Sequence, residues 1–423
     1  MTFDEFLKPL AAMLSQSVWA HGPLHQLIAR YLPANIQWLS APIAHGLLRA
    51  FPGGVAPDAG RIADFCRERP ELQRLWLRPH SLAAPPHHVL DAPTFLPDQA
   101  LAGLCLPRLA DTLELADWLA ISPEQLTRFA DLRSLSALCP SEFARHYRTR
   151  TIPKKDGTPR LIEEPKPFLK TLQRRILSGI LNAVAPHSAA HGFTPRRNCL
   201  SAASRHAGEE TVVSFDLADF FQSISFSRVY STFRALGYPA AVARTLCGLA
   251  TVITPPDERL RHAALGRHLP QGAPTSPALA NLAAFGLDRR LAGLARRIGA
   301  AYTRYADDLT FSGDRQIGPI LLRAVPQIAH DEGFRLNRTK TRLMPRGGRQ
   351  IVTGTVVNSH LNLPRTEYDQ LKATLHRLAD PTDPRRADLA FRAHIRGRIA
   401  WAEQVNPARA QKLRTSFDAL GFD

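Results

Sequence analysis

Apolar positions recur at helical spacing towards both ends of the chain, while an alternating pattern occupies its middle. Residues 1–79 read as short amphipathic helices, such as Phe3–Leu14 and Leu24–Tyr31, separated by turns containing Pro or Gly. From Pro79 to Pro97 the text PHSLAAPPHHVLDAPTFLP carries too much proline to continue a helix and reads as a linker. Residues 99–148 return to helical spacing, with Ser122 ahead of Glu124 and Gln125 as the start of a helix running towards Leu132. At Arg150 the period changes. TIPKKDGTPRLIEEP predicts a strand, a basic Asp-Gly turn and a second strand. Pro167–Val184 predicts a helix with Lys170, Arg174 and Arg175 beside Leu172, Ile176 and Ile180. VVSFDLADF, near 212–220, reads as a strand, and 227–236 and 277–297 as helices. AYTRYADDLTFSG, at 301–313, predicts two short strands joined at an acidic pair, and helical spacing resumes from Glu367.

Composition narrows the class. With 423 residues the chain has room for two or three domains, and 44% hydrophobic against 22% charged residues describes a folded protein. The formal net charge of +17 points to a polyanionic partner, because Lys and Arg gain affinity for phosphates by displacing condensed counterions. Cys66, Cys105, Cys139, Cys199 and Cys247 are scattered and form no CxxC pair, which supports neither a disulfide framework nor a zinc cluster. No apolar run reaches membrane-spanning length and MTFDEFLKPL lacks a basic secretory start, so the expected location is a reducing cytoplasm with no membrane partner.

The candidate chemistry lies in Asp216, within FDLADFF, and in Asp307 and Asp308, within YADD. Carboxylates inside apolar strands are costly to bury unless a cation compensates them, and adjacent carboxylates repel unless they share one. Oxygen ligands of this kind suit Mg2+, and two such ions can activate a hydroxyl and stabilise a departing pyrophosphate. The plainer reading of Asp307-Asp308 is the turn of a surface hairpin. Asp219 equally suits a helix-start cap and is not counted as a ligand. Between the acidic segments, LPQGAPTSP at 269–277 has a Gly that permits close backbone approach and prolines that shape the entry to a helix.

In this order the segments resemble the bacterial reverse transcriptases, and within them the retron-type enzymes. FDLADFF is similar to their first catalytic motif, LPQGAPTSP to their template- and nucleotide-positioning motif and YADD to their second catalytic motif. IPKKDGTPRLIEEPKPFLKTLQRRI, His191-Gly192-Phe193, GFRLNRTKT at 333–341 and Val352-Thr353-Gly354 with Asn358 fit as well, so the resemblance covers about residues 109–415. It implies an α+β right-hand polymerase with fingers, palm and helical thumb, plus an N-terminal helical extension. The expected divisions are an extension at 1–79, a Pro/His-rich linker at 80–98, fingers and N-terminal polymerase region at 99–211, mainly palm at 212–360 and thumb at 361–423.

The resemblance also implies roles. Asp216 and Asp307 would bridge two Mg2+ ions, with Asp308 assisting and Mn2+ as a substitute. Lys155 and Arg160 would reach the incoming triphosphate, and Gln271 and Gly272 would shape the template and nucleotide site. Lys340 would approach the leaving phosphate, with a plain surface lysine as its alternative. Phe221 would crowd a 2′-hydroxyl, whereas Phe220, facing the other way if the strand continues, is the better core residue. Tyr305 would position the primer terminus. Arg392, Arg396, Arg398, Arg409, Lys412 and Arg414 would track a duplex backbone while Ile395, Ile399 and Trp401 pack inward, or else form a charged outer face.

For a retron-type enzyme the implied partners are a structured noncoding RNA template, deoxynucleoside triphosphates and an RNA–DNA product, in antiphage defence. A standalone defence enzyme, a group II intron-like enzyme and a catalytically idle RNA-binding scaffold are the competing expectations. Residues 1–98 carry no catalytic motif, and docking an effector protein, clasping the RNA, oligomerisation and bracing the fingers all remain open for them.

Overall fold

The structure, a computed structural model, describes residues 3–32, 39–52, 54–69, 95, 97, 101, 103–139, 141–153, 157, 159–256 and 266–422. The linker reading of 80–98 and Lys155 therefore fall outside the described residues, apart from Phe95 and Pro97. The chain divides into two compact units, residues 1–185 with 221–283 and residues 186–220 with 284–423. Among the described residues no helix is long and apolar enough to cross a membrane.

The first unit begins with helices Phe3–Ser15, His21–Tyr31, Ser40–Ala50 and Ala59–Arg67. Their apolar faces enclose a core of their own, including Leu10, Leu14, Leu24, Ile28, Leu47 and Ile62. Tyr31 buries its ring there because its hydroxyl has a partner, donating to the Phe6 carbonyl at 2.6 Å. The bundle is tied to the rest of its unit through polar groups. Arg244 donates to the Ser15 carbonyl, and Ser227 Oγ to the Gly54 carbonyl at 2.8 Å.

Further along, helix Pro123–Ala130 carries the expected capping box, Ser122 and Gln125 each bonding the other's backbone N–H. It ends at Ala130, short of Leu132, where Asp131 turns left-handed. The two expected strands form as β1 (Tyr147–Pro153) and β2 (Pro159–Pro165), with Pro153 opposite Pro159, while the basic Asp-Gly turn, apart from Gly157, lies outside the described residues. The helix expected over Pro167–Val184 stops at Gly179 and gives way to a 3-10 turn at Leu181–Ala183. A Cβ on Gly179 would lie 2.6 Å from the Trp118 ring, so the close approach of the indole requires glycine there. Helices Phe226–Ala235, Ala240–Ala250 and Ser276–Ala283 complete the unit.

The second unit is built on an antiparallel sheet of order β4-β5-β3-β6, with β3 Thr211–Asp216, β4 Ala301–Tyr305, β5 Asp308–Gly313 and β6 Arg342–Pro345. Strand β3 lies between β5 and β6, and Val212, Val213 and Phe215 are all buried, so its text carries apolar residues on both faces. It ends at Asp216 rather than running to 220. Asp219 adopts φ 49°, and a short helix, Phe220–Ser223, starts immediately after it. Helices Phe285–Arg297 and Ile317–Asp331 pack against the sheet. The single helix expected over 277–297 is broken at Ala284, whose ψ of 3° interrupts the helical path. A small hairpin, β7 Ile351–Val352 with β8 Thr355–Val356, turns at Thr353 and Gly354, both at positive φ as a two-residue turn of this hand requires. Helices Arg365–Leu378, Leu389–Val405 and Pro407–Asp418 then share a separate core that includes Leu371, Leu375, Ile395, Ile399, Leu413 and Phe417. The architecture is α+β.

Candidate active site

The acidic residues are brought together by strand pairing. Asp216, at the end of β3, lies opposite Asp308, the first residue of β5, while Asp307 occupies the tight turn between β4 and β5. Three backbone bonds hold the exit of β3. Leu217 N–H donates to the Asp307 carbonyl at 2.9 Å, Ala218 N–H to the Arg335 carbonyl at 2.8 Å, and Asn337 N–H to the Asp216 carbonyl at 2.8 Å.

 The carboxylates are thus neighbours through the sheet, although far apart in the chain.

Asp216 is 8% exposed, and the Lys340 ammonium lies 3.1 and 3.0 Å from its two oxygens. That contact holds the Lys340 ammonium above its ordinary pKa, first through the hydrogen bond to Asp216. Asp308 behaves differently. Burial, then the charges of Asp307 and Asp216, push its carboxyl up to about 6, with Lys340 opposing. Its side chain still reaches solvent, where mobile ions screen part of the effect. Among the described residues no three His, Cys, Asp or Glu side chains form a ready-made metal shell. The donor chemistry nevertheless fits Mg2+, which takes a few carboxylates and completes its coordination with water or phosphate oxygens.

The other expected residues are placed as follows. In the first unit, Arg160 is exposed at the start of β2, opposite Ile152. Gln271 and Gly272 run beside the same strand: Glu163 N–H donates to the Gln271 carbonyl at 2.9 Å, and a Cβ on Gly272 would meet the Glu163 carbonyl oxygen at 3.2 Å. Gly272 also has φ 134°, which side-chain-bearing residues rarely adopt. Phe221 is half-buried in the short helix after Asp219. Phe220 is a core residue, 5.9 Å from the Phe334 ring, but it reaches the core from that helix and not from a continued strand.

In the second unit Tyr305 is half-buried at the end of β4. Most of the C-terminal basic residues are engaged locally. Arg414 makes a two-pronged pair with Glu403 at 2.7 and 2.8 Å. Arg409 stacks 4.2 Å over Tyr368, Arg392 lies 4.6 Å over Phe422, and Arg398 donates to the Glu367 carbonyl at 3.4 Å. Arg396 and Lys412 remain exposed, the former with its guanidinium 5.8 Å from the Phe417 ring. Ile395 and Ile399 point inward as expected, and Trp401 packs partly buried against them.

Sequence reasoning missed two buried polar assemblies. Glu163 and His268 pair at 2.9 Å beside the Gln271 loop, both almost fully buried. Arg304 and Asp288 pair at 2.6 Å with no exposure at either side chain, next to the YADD turn. A charged residue inside the apolar β4 segment was the available signal for the second.

Residues 152–370 match the family model described as reverse transcriptase (RNA-dependent DNA polymerase). The retron Mx65 reverse transcriptase of Myxococcus xanthus is 43% identical over 325 residues, which cover 75% of this chain and 74% of that one. The retron Mx162 reverse transcriptase of the same organism is 37% identical, over 74% of this chain and 68% of that one. The retron Ec86 reverse transcriptase of Escherichia coli is 32% identical, over 65% and 81%. With its acidic strand and hairpin in one sheet and these relatives on either side of the comparison, the chain belongs to the bacterial retron-type reverse transcriptases and is an RNA-directed DNA polymerase.

Proposed function

We propose that the chain is a retron reverse transcriptase that copies a cognate structured noncoding RNA into RNA-linked single-stranded DNA, as part of antiphage defence. The observation that carries the catalytic half of this reading is the pairing of Asp216 with Asp308, with Asp307 in the adjoining turn. The retron half rests on likeness to the named retron reverse transcriptases, and the defence role is carried over from the family resemblance alone.

Reverse transcriptases generally use divalent metal ions such as Mg2+. In this reading Asp216 and Asp307 hold the ions, Asp308 assists, and Mn2+ can substitute. Bound there, such ions supply Lewis acidity that lowers the pKa of a hydroxyl and offsets charge on a leaving phosphate. The primer hydroxyl forms a bond to the α-phosphorus of a deoxynucleoside triphosphate as the bond to pyrophosphate breaks, and the hydroxyl proton passes to solvent. Lys340, drawn away from Asp216, can offer its ammonium to the departing phosphate. Arg160 and Lys155 contact the triphosphate, Gln271 and Gly272 line the template and nucleotide site, Phe221 selects the deoxyribose and Tyr305 steadies the primer. Arg396 and Lys412 are the exposed C-terminal cations suited to a duplex backbone; Arg392, Arg398, Arg409 and Arg414 support the helices that present them. The divisions proposed for the chain are extension 1–79, linker 80–98, fingers 99–211, palm 212–360 and thumb 361–423, with residues 1–98 available to an effector protein.

Purifying the protein with its bound nucleic acid and sequencing both RNA and DNA tests the substrate. One structured RNA joined to complementary DNA is the expected product. Recovery of unjoined DNA from many templates would point to a standalone enzyme. Replacing Asp307 and Asp308 together by Ala is expected to abolish Mg2+-dependent incorporation while RNA binding persists. Undiminished synthesis in that variant would remove these residues from the site.

A further inference from the structure

The turn that carries Asp307 is not a relaxed one. Ala306 adopts φ 55°, a left-handed conformation that a residue with a side chain rarely takes up unaided. Something must hold it. Arg304, the residue two positions earlier, is fully buried, and its Nη1 donates to the Ala306 carbonyl at 3.1 Å. The same guanidinium is fixed from its other edge by Asp288, with Nε to Oδ1 at 2.8 Å and Nη2 to Oδ2 at 2.6 Å. Tyr302 adds a third bond to Asp288, its hydroxyl donating to Oδ1 at 2.8 Å. The planar fork of arginine suits this task, since one edge can grip a carboxylate while a remaining N–H reaches a carbonyl.

The opposite side of the same peptide is confined as well. His191 N–H donates to the Arg304 carbonyl and Arg304 N–H to the Ala189 carbonyl, each at 2.8 Å. This brings Gly192 so near the turn that a Cβ there would stand 2.5 Å from the Ala306 nitrogen. A buried ion pair is a poor way to add stability, because desolvation offsets most of its attraction. Its worth here is geometric.

We propose that Arg304, anchored by Asp288, is a positioning residue for DNA synthesis: it holds the Ala306 carbonyl and so sets the turn that delivers Asp307 and Asp308. This deepens the active-site reading above and rests on it. Misplacing a reacting group by about 1 Å can cost on the order of 100-fold in rate, so a turn held from two sides matters for turnover more than for affinity.

The test uses the full-length protein on a primed RNA template with Mg2+. The paired variant Arg304→Met with Asp288→Leu removes both charges together and leaves neither stranded. Expected are a melting temperature near that of the unaltered protein, a kcat lower by about tenfold or more, and little change in KM for the nucleotide or in Kd for the primed RNA. Hydrogen exchange in the metal-free protein should quicken over residues 301–309. Arg304→Lys keeps a buried cation opposite Asp288 but cannot grip the carboxylate and the Ala306 carbonyl at once, and it should show the same fall in kcat. An unchanged kcat in either folded variant, or a fall that tracks only the loss of folded protein, overturns the proposal. If the paired variant does not fold, Arg304→Lys decides. Should Asp307→Ala with Asp308→Ala leave synthesis intact, it is the active-site reading that fails, and exchange at 301–309 still reports on the clamp.

Discussion

His206 has no exposure to water, and its ring is held between Ser312 Oγ at 2.8 Å from Nδ1 and Thr303 Oγ1 at 2.7 Å from Nε2. Burial, with smaller contributions from His191 and Arg205, pushes the imidazole down to about 3. The same residue in an unfolded chain titrates near pH 6.5. Below that value the unfolded state binds a proton that the folded state refuses, so stability is full above about pH 6.5 and falls as pH drops towards about 3. His206→Gln keeps hydrogen-bonding capacity without that proton. Its urea midpoint should fall less between pH 7 and pH 4 than that of the unaltered protein, and equal losses would clear His206 of the effect. At this scale the clustered aspartates Asp216, Asp307 and Asp308 were legible because acids stand out in apolar strands. Arg304 and Asp288 were not, because nothing in their spacing says that a strand and a helix will bring them together. Lys340 was legible only as a cation near the chemistry; its contact with Asp216 depends on how residues 335–340 return to β3.

Elements were readable where burial was one-sided. Strands β1 and β2 and helices Phe3–Ser15 and His21–Tyr31 show the right period and were expected near their observed bounds, whereas Ser40–Ala50 and Ala59–Arg67 were read only as further short helices. Helix Ala240–Ala250 was missed because it is buried on nearly every side, so its text has no polar face to mark the period. Helix Pro167–Gly179 stops short because Ile180 leaves the helical path at φ −123°, and Gly179, its last residue, lies against the Trp118 ring. That contact makes a prediction. Gly179→Ala should gain up to about 1 kcal/mol from helix propensity yet lose roughly 1–3 kcal/mol to overpacking against the indole. A net fall in melting temperature is expected, and a rise would show that Trp118 can move aside without cost.

The molecule contains separate hydrophobic cores, one made wholly of residues from the N-terminal bundle and another of residues 363–420. The bundle should therefore respond to damage by itself. Leu10 is fully buried in it, and Leu10→Ala should cost about 2–5 kcal/mol locally. Protease cutting within residues 3–67 should rise while nucleotide incorporation at 25 °C stays within about twofold of normal. A parallel loss of incorporation would mean that the bundle braces the polymerase. The right-hand plan came from resemblance and not from periodicity, since long-range sheet order such as β4-β5-β3-β6 leaves no local trace in a sequence.

The Lys340 ammonium on Asp216 has one further consequence. It is a tethered counterion: the chain itself supplies a replaceable positive charge to one carboxylate of the cluster. Chelation should therefore silence synthesis yet leave the melting temperature within about 2 °C, unlike the collapse seen when a structural metal is withdrawn.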